Sequence, residues 1–101
     1  MALYQLTLFY PTLKQHAATV RQIRTEVESM AGSNWRVLSP GEQVCAIGFV
    51  SDLSPAQIQT RLGRFDGIES FGFLLVEVAG SPVGFMSPDV WLWIHRHRPK
   101  A

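Results

Sequence analysis

The chain predicts an α+β domain, a single sheet with helices packed against it. Three observations carry this. The segment Leu3–Tyr10 alternates, with Tyr4, Leu6, Leu8 and Tyr10 on one side and Gln5, Thr7 and Phe9 on the other, as a strand requires. Two runs with helical spacing of apolar residues follow later strand-like segments or this one, each after a helix-start signal. The segment Phe71–Val78 is apolar on both sides, which marks a strand covered on both faces.

Each element follows in order. Pro11 ends the first strand, and Thr12 and Gln15 have capping-box spacing. Leu13, Ala17, Val20, Ile23, Val27 and Met30 then form a helical stripe, and Gly32 supplies a left-handed stop. Trp35–Leu38 is a short strand, Ser39-Pro40-Gly41-Glu42 a turn, and Val44–Val50 the next strand. In that strand Cys45, Ile47 and Phe49 share one side, and Gly48 on the other marks a bulge or a close approach. Ser54-Pro55-Ala56-Gln57 opens a second helix that continues through Leu62 and Phe65 and ends at Asp66-Gly67. After Phe71–Val78, Gly80-Ser81-Pro82 breaks the chain and Val83–Met86 forms a short extra strand. Ser87-Pro88-Asp89 then opens a third helix from Val90 to about His97. The order is strand, helix, strand, strand, helix, strand. That is the ferredoxin-like βαββαβ arrangement, here with a short C-terminal strand and helix tail.

The 101 residues make one domain, residues 1–101. Hydrophobic residues are 47% and charged residues 17%, the latter below the ~25% of an average domain, so part of the surface is expected to be covered. The net charge of +1 gives no general attraction for polyanions. Cys45 is the only cysteine, so zinc held by paired cysteines is excluded and the thiol is expected to be a buried apolar group. No secretory leader is visible at Met1–Tyr10, and no apolar run reaches the ~18 residues that span a bilayer, so a cytoplasmic chain without membrane contact is expected.

Candidate functional residues are few. Phe71, Phe73 and Leu75 share one side of their strand, and in so short a chain that side is expected to face a second chain, with Glu77 at the seam. Trp93 is expected near the surface, with Val90, Trp91 and Ile94 packed inward. Arg61 and Arg64 on the second helix, with Arg96, Arg98 and Lys100 in the tail, can reach phosphates and are the candidate nucleic-acid contacts. His95 and His97 are two apart and so point in different directions on a helix, which does not suit a metal. No metal, cofactor or catalytic set is expected.

The stretches Val50-Ser51-Asp52-Leu53-Ser54-Pro55-Ala56-Gln57-Ile58 with Arg61-Leu62, Phe73–Val78, and Gly84–Trp93 resemble a known group. They are similar to the small ferredoxin-like proteins around the CRISPR-associated adaptation nuclease, especially the SinR-like relatives. The resemblance implies a homodimer built across sheet faces, with tail exchange, and an association with nucleic acid. The nucleases of that group carry a metal-binding aspartate at the end of the first strand. Here that region is Thr7-Leu8-Phe9-Tyr10-Pro11, without a carboxylate, so a non-catalytic binding protein is expected. One alternative is a small inhibitor or antitoxin-type protein that binds a larger protein partner. Another is a small-ligand enzyme of the dimeric α/β-barrel kind, with Tyr4, Tyr10 and His16 lining its pocket.

Overall fold

The structure is a computed structural model that describes residues 1–10, 13–41, 43–64, 72–78 and 88–97. It contains strand β1 (Ala2–Phe9), helix α1 (Leu13–Ala31), strands β2 (Trp35–Ser39) and β3 (Val44–Ser51), helix α2 (Pro55–Leu62), strand β4 (Gly72–Val78) and helix α3 (Pro88–His97). The strands form one antiparallel sheet in the order β2-β3-β1-β4.

β1 lies in the interior of the sheet, and its alternation sets both faces. Leu8, Leu6 and Tyr4 stand opposite Cys45, Ile47 and Phe49 on β3, and Leu8 and Leu6 stand opposite Phe73 and Leu75 on β4. These side chains meet Val20, Ile23 and Val27 of α1 and Ile58 and Leu62 of α2 in the main core. Leu6, Ile23, Ile47, Phe49 and Ile58 are fully buried there. Each such side chain contributes roughly 1.5–3 kcal/mol relative to an exposed one. The Arg61 guanidinium on α2 pairs with Glu26 on α1 at 2.6 Å and donates to Ser29 Oγ at 3.2 Å, tying the two helices together.

The opposite face of the sheet carries a second, smaller core. Leu3, Val50, Val90 and Ile94 are buried in it, with Leu38, Val78, Trp91 and Trp93 packed around them. α3 is therefore a cover for that face, and the sheet has helices on both sides.

Local signals account for the helix ends. Ser54 Oγ accepts from the Gln57 N–H at 3.2 Å, and Gln57 Oε1 accepts from the Ser54 N–H at 2.8 Å, the reciprocal box expected of that spacing. Gly32 follows α1 with φ +64°, and its N–H donates to the Glu28 carbonyl at 2.7 Å. α2 is shorter than its apolar spacing suggests. It stops at Leu62, and the Gly63 N–H makes the closing bond to the Gln59 carbonyl at 3.0 Å, because glycine is a poor helix residue and ends the run before Phe65. The cap at Thr12 and Gln15, the stop at Asp66-Gly67, the break at Gly80-Ser81-Pro82 and the strand at Val83–Met86 fall outside the described residues, as do Phe71 and Ser87.

Gly48 on β3 is a close approach. A Cβ placed there lies 2.7 Å from Cζ3 of Trp93 and 3.2 Å from Cδ2 of Leu38. Gly48→Ala is therefore expected to push the Trp93 ring off the sheet and destabilise the protein by about 1–3 kcal/mol. A urea melt followed by tryptophan fluorescence measures this. The double variant with Trp93→Ala recovers part of the loss, since the clash is gone; strictly additive losses would show that the ring does not sit on Gly48.

Candidate functional site

The feature that sets this molecule apart is the second sheet face, which α3 covers only in part. At the start of α3, Arg36 from β2 pairs with the Asp89 carboxylate and also donates to the Asp89 carbonyl at 3.3 Å. Farther along, the Trp93 ring lies over Gly48. His97 stacks on Trp93 with ring centres 4.5 Å apart, and its Nδ1–H donates to the Trp93 carbonyl at 2.8 Å. His95 stacks on Trp91 at 5.5 Å. These contacts hold the helix over Leu3, Val50, Val78 and Leu38.

Beyond α3, four apolar side chains of this face are exposed among the described residues, while Ala46 is buried. Phe9, Val44, Leu74 and Val76 are all at least 40% exposed, with Leu74 at 55%. The register sets them close together: Phe9 opposes Val44 on one side and Gly72 on the other, Leu74 opposes Thr7, and Val76 opposes Gln5. The residues of this parity are Leu3, Gln5, Thr7 and Phe9 on β1, Val44, Ala46, Gly48 and Val50 on β3, and Gly72, Leu74, Val76 and Val78 on β4. None of these carries a charge; on β2 the same side holds Arg36, opposite Gly48, which pairs with Asp89. An apolar strip without charge, beside a bound helix, is a surface suited to association and not to solvation.

The expected interface residues are placed differently. Phe73 and Leu75 pack against the main core, on the side covered by α1 and α2. The cause is register. Because β4 pairs with β1 so that Phe73 opposes Leu8 and Leu75 opposes Leu6, both inherit the inward parity of β1. Leu74 and Val76, one residue out of phase, take the open side. Glu77 opposes Tyr4 and is exposed on the α1/α2 side. Trp93 is half-buried on the sheet and not free at the surface, and the exposed apolar residue of α3 is Leu92, at 62%. Phe71 lies outside the described residues. Reading β4 alone does not find the outward group of Phe9, Val44, Leu74 and Val76. The signal that finds it is the parity of β1, which already separates Phe9 from Tyr4, Leu6 and Leu8.

Among the described residues the candidate basic side chains do not converge. Arg61 is engaged with Glu26, and Arg64 is exposed just beyond α2. Arg96 is exposed on α3, across the sheet from α2. Arg98 and Lys100 fall outside the described residues. The tyrosines are also committed. Tyr4 donates its hydroxyl hydrogen to the Leu53 carbonyl at 2.8 Å, and Tyr10 donates to the Gly41 carbonyl at 2.6 Å. Both rings are buried. A shallow open depression runs along α1, lined by Ala18, Arg21, Gln22, Thr25 and Glu26. Among the described residues no three His, Cys, Asp or Glu side chains gather where a metal could bind, and no helix is long and apolar enough to cross a membrane.

Burial raises the Cys45 thiol, with Arg24 acting in the opposite direction. Burial likewise raises the Tyr4 and Tyr10 phenols, helped by the charge of Glu77 in the first case and by Cys45 in the second. These groups ionise in the unfolded chain near 9.0 for the thiol and 10.0 for the phenols, and at higher pH in the folded one. The stability they contribute is fully present below those values and is lost as pH rises past them. The melting temperature is therefore expected to fall steadily once pH climbs above that thiol value. Tyr4→Phe costs about 1 kcal/mol at neutral pH through the lost hydrogen bond, yet its alkaline decline is shallower. An alkaline decline as steep as that of the parent protein would mean that Tyr4 ionises equally in both states.

Comparison of the chain with family models, with curated proteins and with solved structures gives no match.

Proposed function

We propose that the protein works by association, as a ferredoxin-like homodimeric domain joined through the open half of its second sheet face. The observation that carries this is the uncharged strip of Phe9, Val44, Leu74 and Val76 beside α3. Water contact with such a strip is unfavourable by roughly 25 cal/mol for each Å² of apolar surface, and a second copy removes it. The ferredoxin-like reading is supported by the strand order β2-β3-β1-β4 and by α1 and α2 lying on the same side of the sheet. Kinship with the SinR-like proteins is part of the proposal and rests on the stretches 50–58 with 61–62, 73–78 and 84–93 of the sequence alone. β1 ends in Thr7-Leu8-Phe9 without a carboxylate, so metal-dependent cleavage of the kind found in the related nucleases is not part of this reading.

Sedimentation across the micromolar range is expected to show a dimer. Leu74→Lys should weaken it by about tenfold or more, since a lysine in an apolar contact costs at least the ~1.4 kcal/mol of one decade. Leu74 is exposed, so the far-UV circular dichroism of the variant should match that of the parent. A parent chain that stays monomeric throughout defeats the homodimer.

The partner beyond the dimer is proposed to be a protein rather than a nucleic acid, because the exposed Arg64 and Arg96 lie on opposite sides of the sheet. No retarded band is expected with duplex or single-stranded nucleic acid at low salt. A shift that weakens steeply with added salt would reverse that preference.

A further inference from the structure

The two faces of the sheet are closed by unequal means. Among the described residues the main core gathers twelve buried side chains, whereas the second core has four: Leu3 and Val50 on the sheet, Val90 and Ile94 on α3. Apolar burial stabilises in proportion to the area removed from water, so the second core is held the more weakly. α1 and α2 also brace one another through Arg61 and Glu26. The two clusters share no residue, because the sheet stands between them. All four strands and both other helices precede α3 in the chain, so none of the strand pairings passes through it.

The polar fastenings do not make up the difference. The side chains of the Arg36–Asp89 pair are 36% and 64% exposed, and a pair in that setting is screened by salt and contributes little. The stacks of His95 on Trp91 and of His97 on Trp93 lie within α3, as does the bond from His97 to the Trp93 carbonyl, so all three travel with the helix. What joins α3 to the sheet is chiefly the apolar packing of its inner side, with Trp93 on Gly48. Off the sheet, a helix of ten residues does not persist in water, where roughly 12–15 are needed even for good helix formers. Release and unwinding of α3 are therefore one event.

We infer that α3 is a detachable cover: it leaves the sheet and unwinds while β1–β4, α1 and α2 stay closed. This is a local opening that lies below full unfolding in free energy. It parts Arg36 from Asp89 and bares Leu3 and Val50, with Leu38 and Val78 beside them. These adjoin the apolar side chains already exposed on the same face. The docking equilibrium of α3 thus sets how much apolar surface the second face presents. The opening is a property of the single chain and does not require the homodimer.

Hydrogen exchange of the full chain, kept dilute enough to be monomeric, reads the opening directly. The amides of residues 92–97 in α3 are compared with those of residues 45–50 in β3, a strand bonded on both sides. After correction for intrinsic rates, the α3 amides are expected to be protected about tenfold less or lower still. Equal protection of the two shows that α3 opens only with the whole protein and overturns the detachable cover. Ile58→Val is the second measurement. It trims the main core, which stays closed when α3 leaves, and is mild enough to keep the fold. Exchange in β3 is expected to rise about threefold or more, and exchange in α3 to stay as in the parent. An equal rise in both segments would mean a single cooperative unit and would likewise overturn it.

Discussion

Everything in this molecule follows from the pairing of β1 with strands on both sides. β1 lies between β3 and β4, and side chains alternate along each strand, so one register decides the side for three strands at once. Tyr4, Leu6 and Leu8 face α1 and α2, which obliges Cys45, Ile47, Phe49, Phe73 and Leu75 to do the same. A slip of one residue in β4 would bring Leu74 and Val76 into the main core and expose Phe73 and Leu75. Burying the larger side chains at those positions selects the observed register over that one.

The second face is built to a different standard. Its core is small and consists of four buried residues with a ring of partly buried ones. It depends on a glycine: a Cβ at Gly48 would lie 2.7 Å from Cζ3 and 3.1 Å from Cη2 of Trp93, so a side chain there would displace the ring. The Arg36–Asp89 pair fixes one end of α3, and the stacking of His97 on Trp93 fixes the other. Exposed ion pairs are worth little, generally 0–1 kcal/mol, so the aromatic contact and the apolar cluster hold the helix.

Four chemistry-bearing side chains among the described residues serve the fold. Tyr4 and Tyr10 each anchor a loop through a backbone carbonyl, Arg61 braces two helices, and Cys45 is buried with its thiol held neutral. What is left exposed among the described residues includes Phe9, Val44, Leu74 and Val76 on the second sheet face, and the association proposed above rests on that surface.

Much of this was legible in the amino-acid order. The alternation at Leu3–Tyr10, the box at Ser54 and Gln57, the left-handed Gly32 and the suspicion attached to Gly48 are local properties, set by residues within a few positions of one another. The side on which Phe73 and Leu75 lie was not legible, because β4 is apolar on both parities and its partner, β1, is some 70 positions away in the chain. The same holds for Trp93 and Leu92, whose roles depend on which turn of α3 meets Gly48. The sequence by itself determined the type and order of the elements and which residues within each share a side. Only the tertiary structure decided which of those sides is covered, since covering depends on the register of segments far apart in the chain, and no local pattern records it.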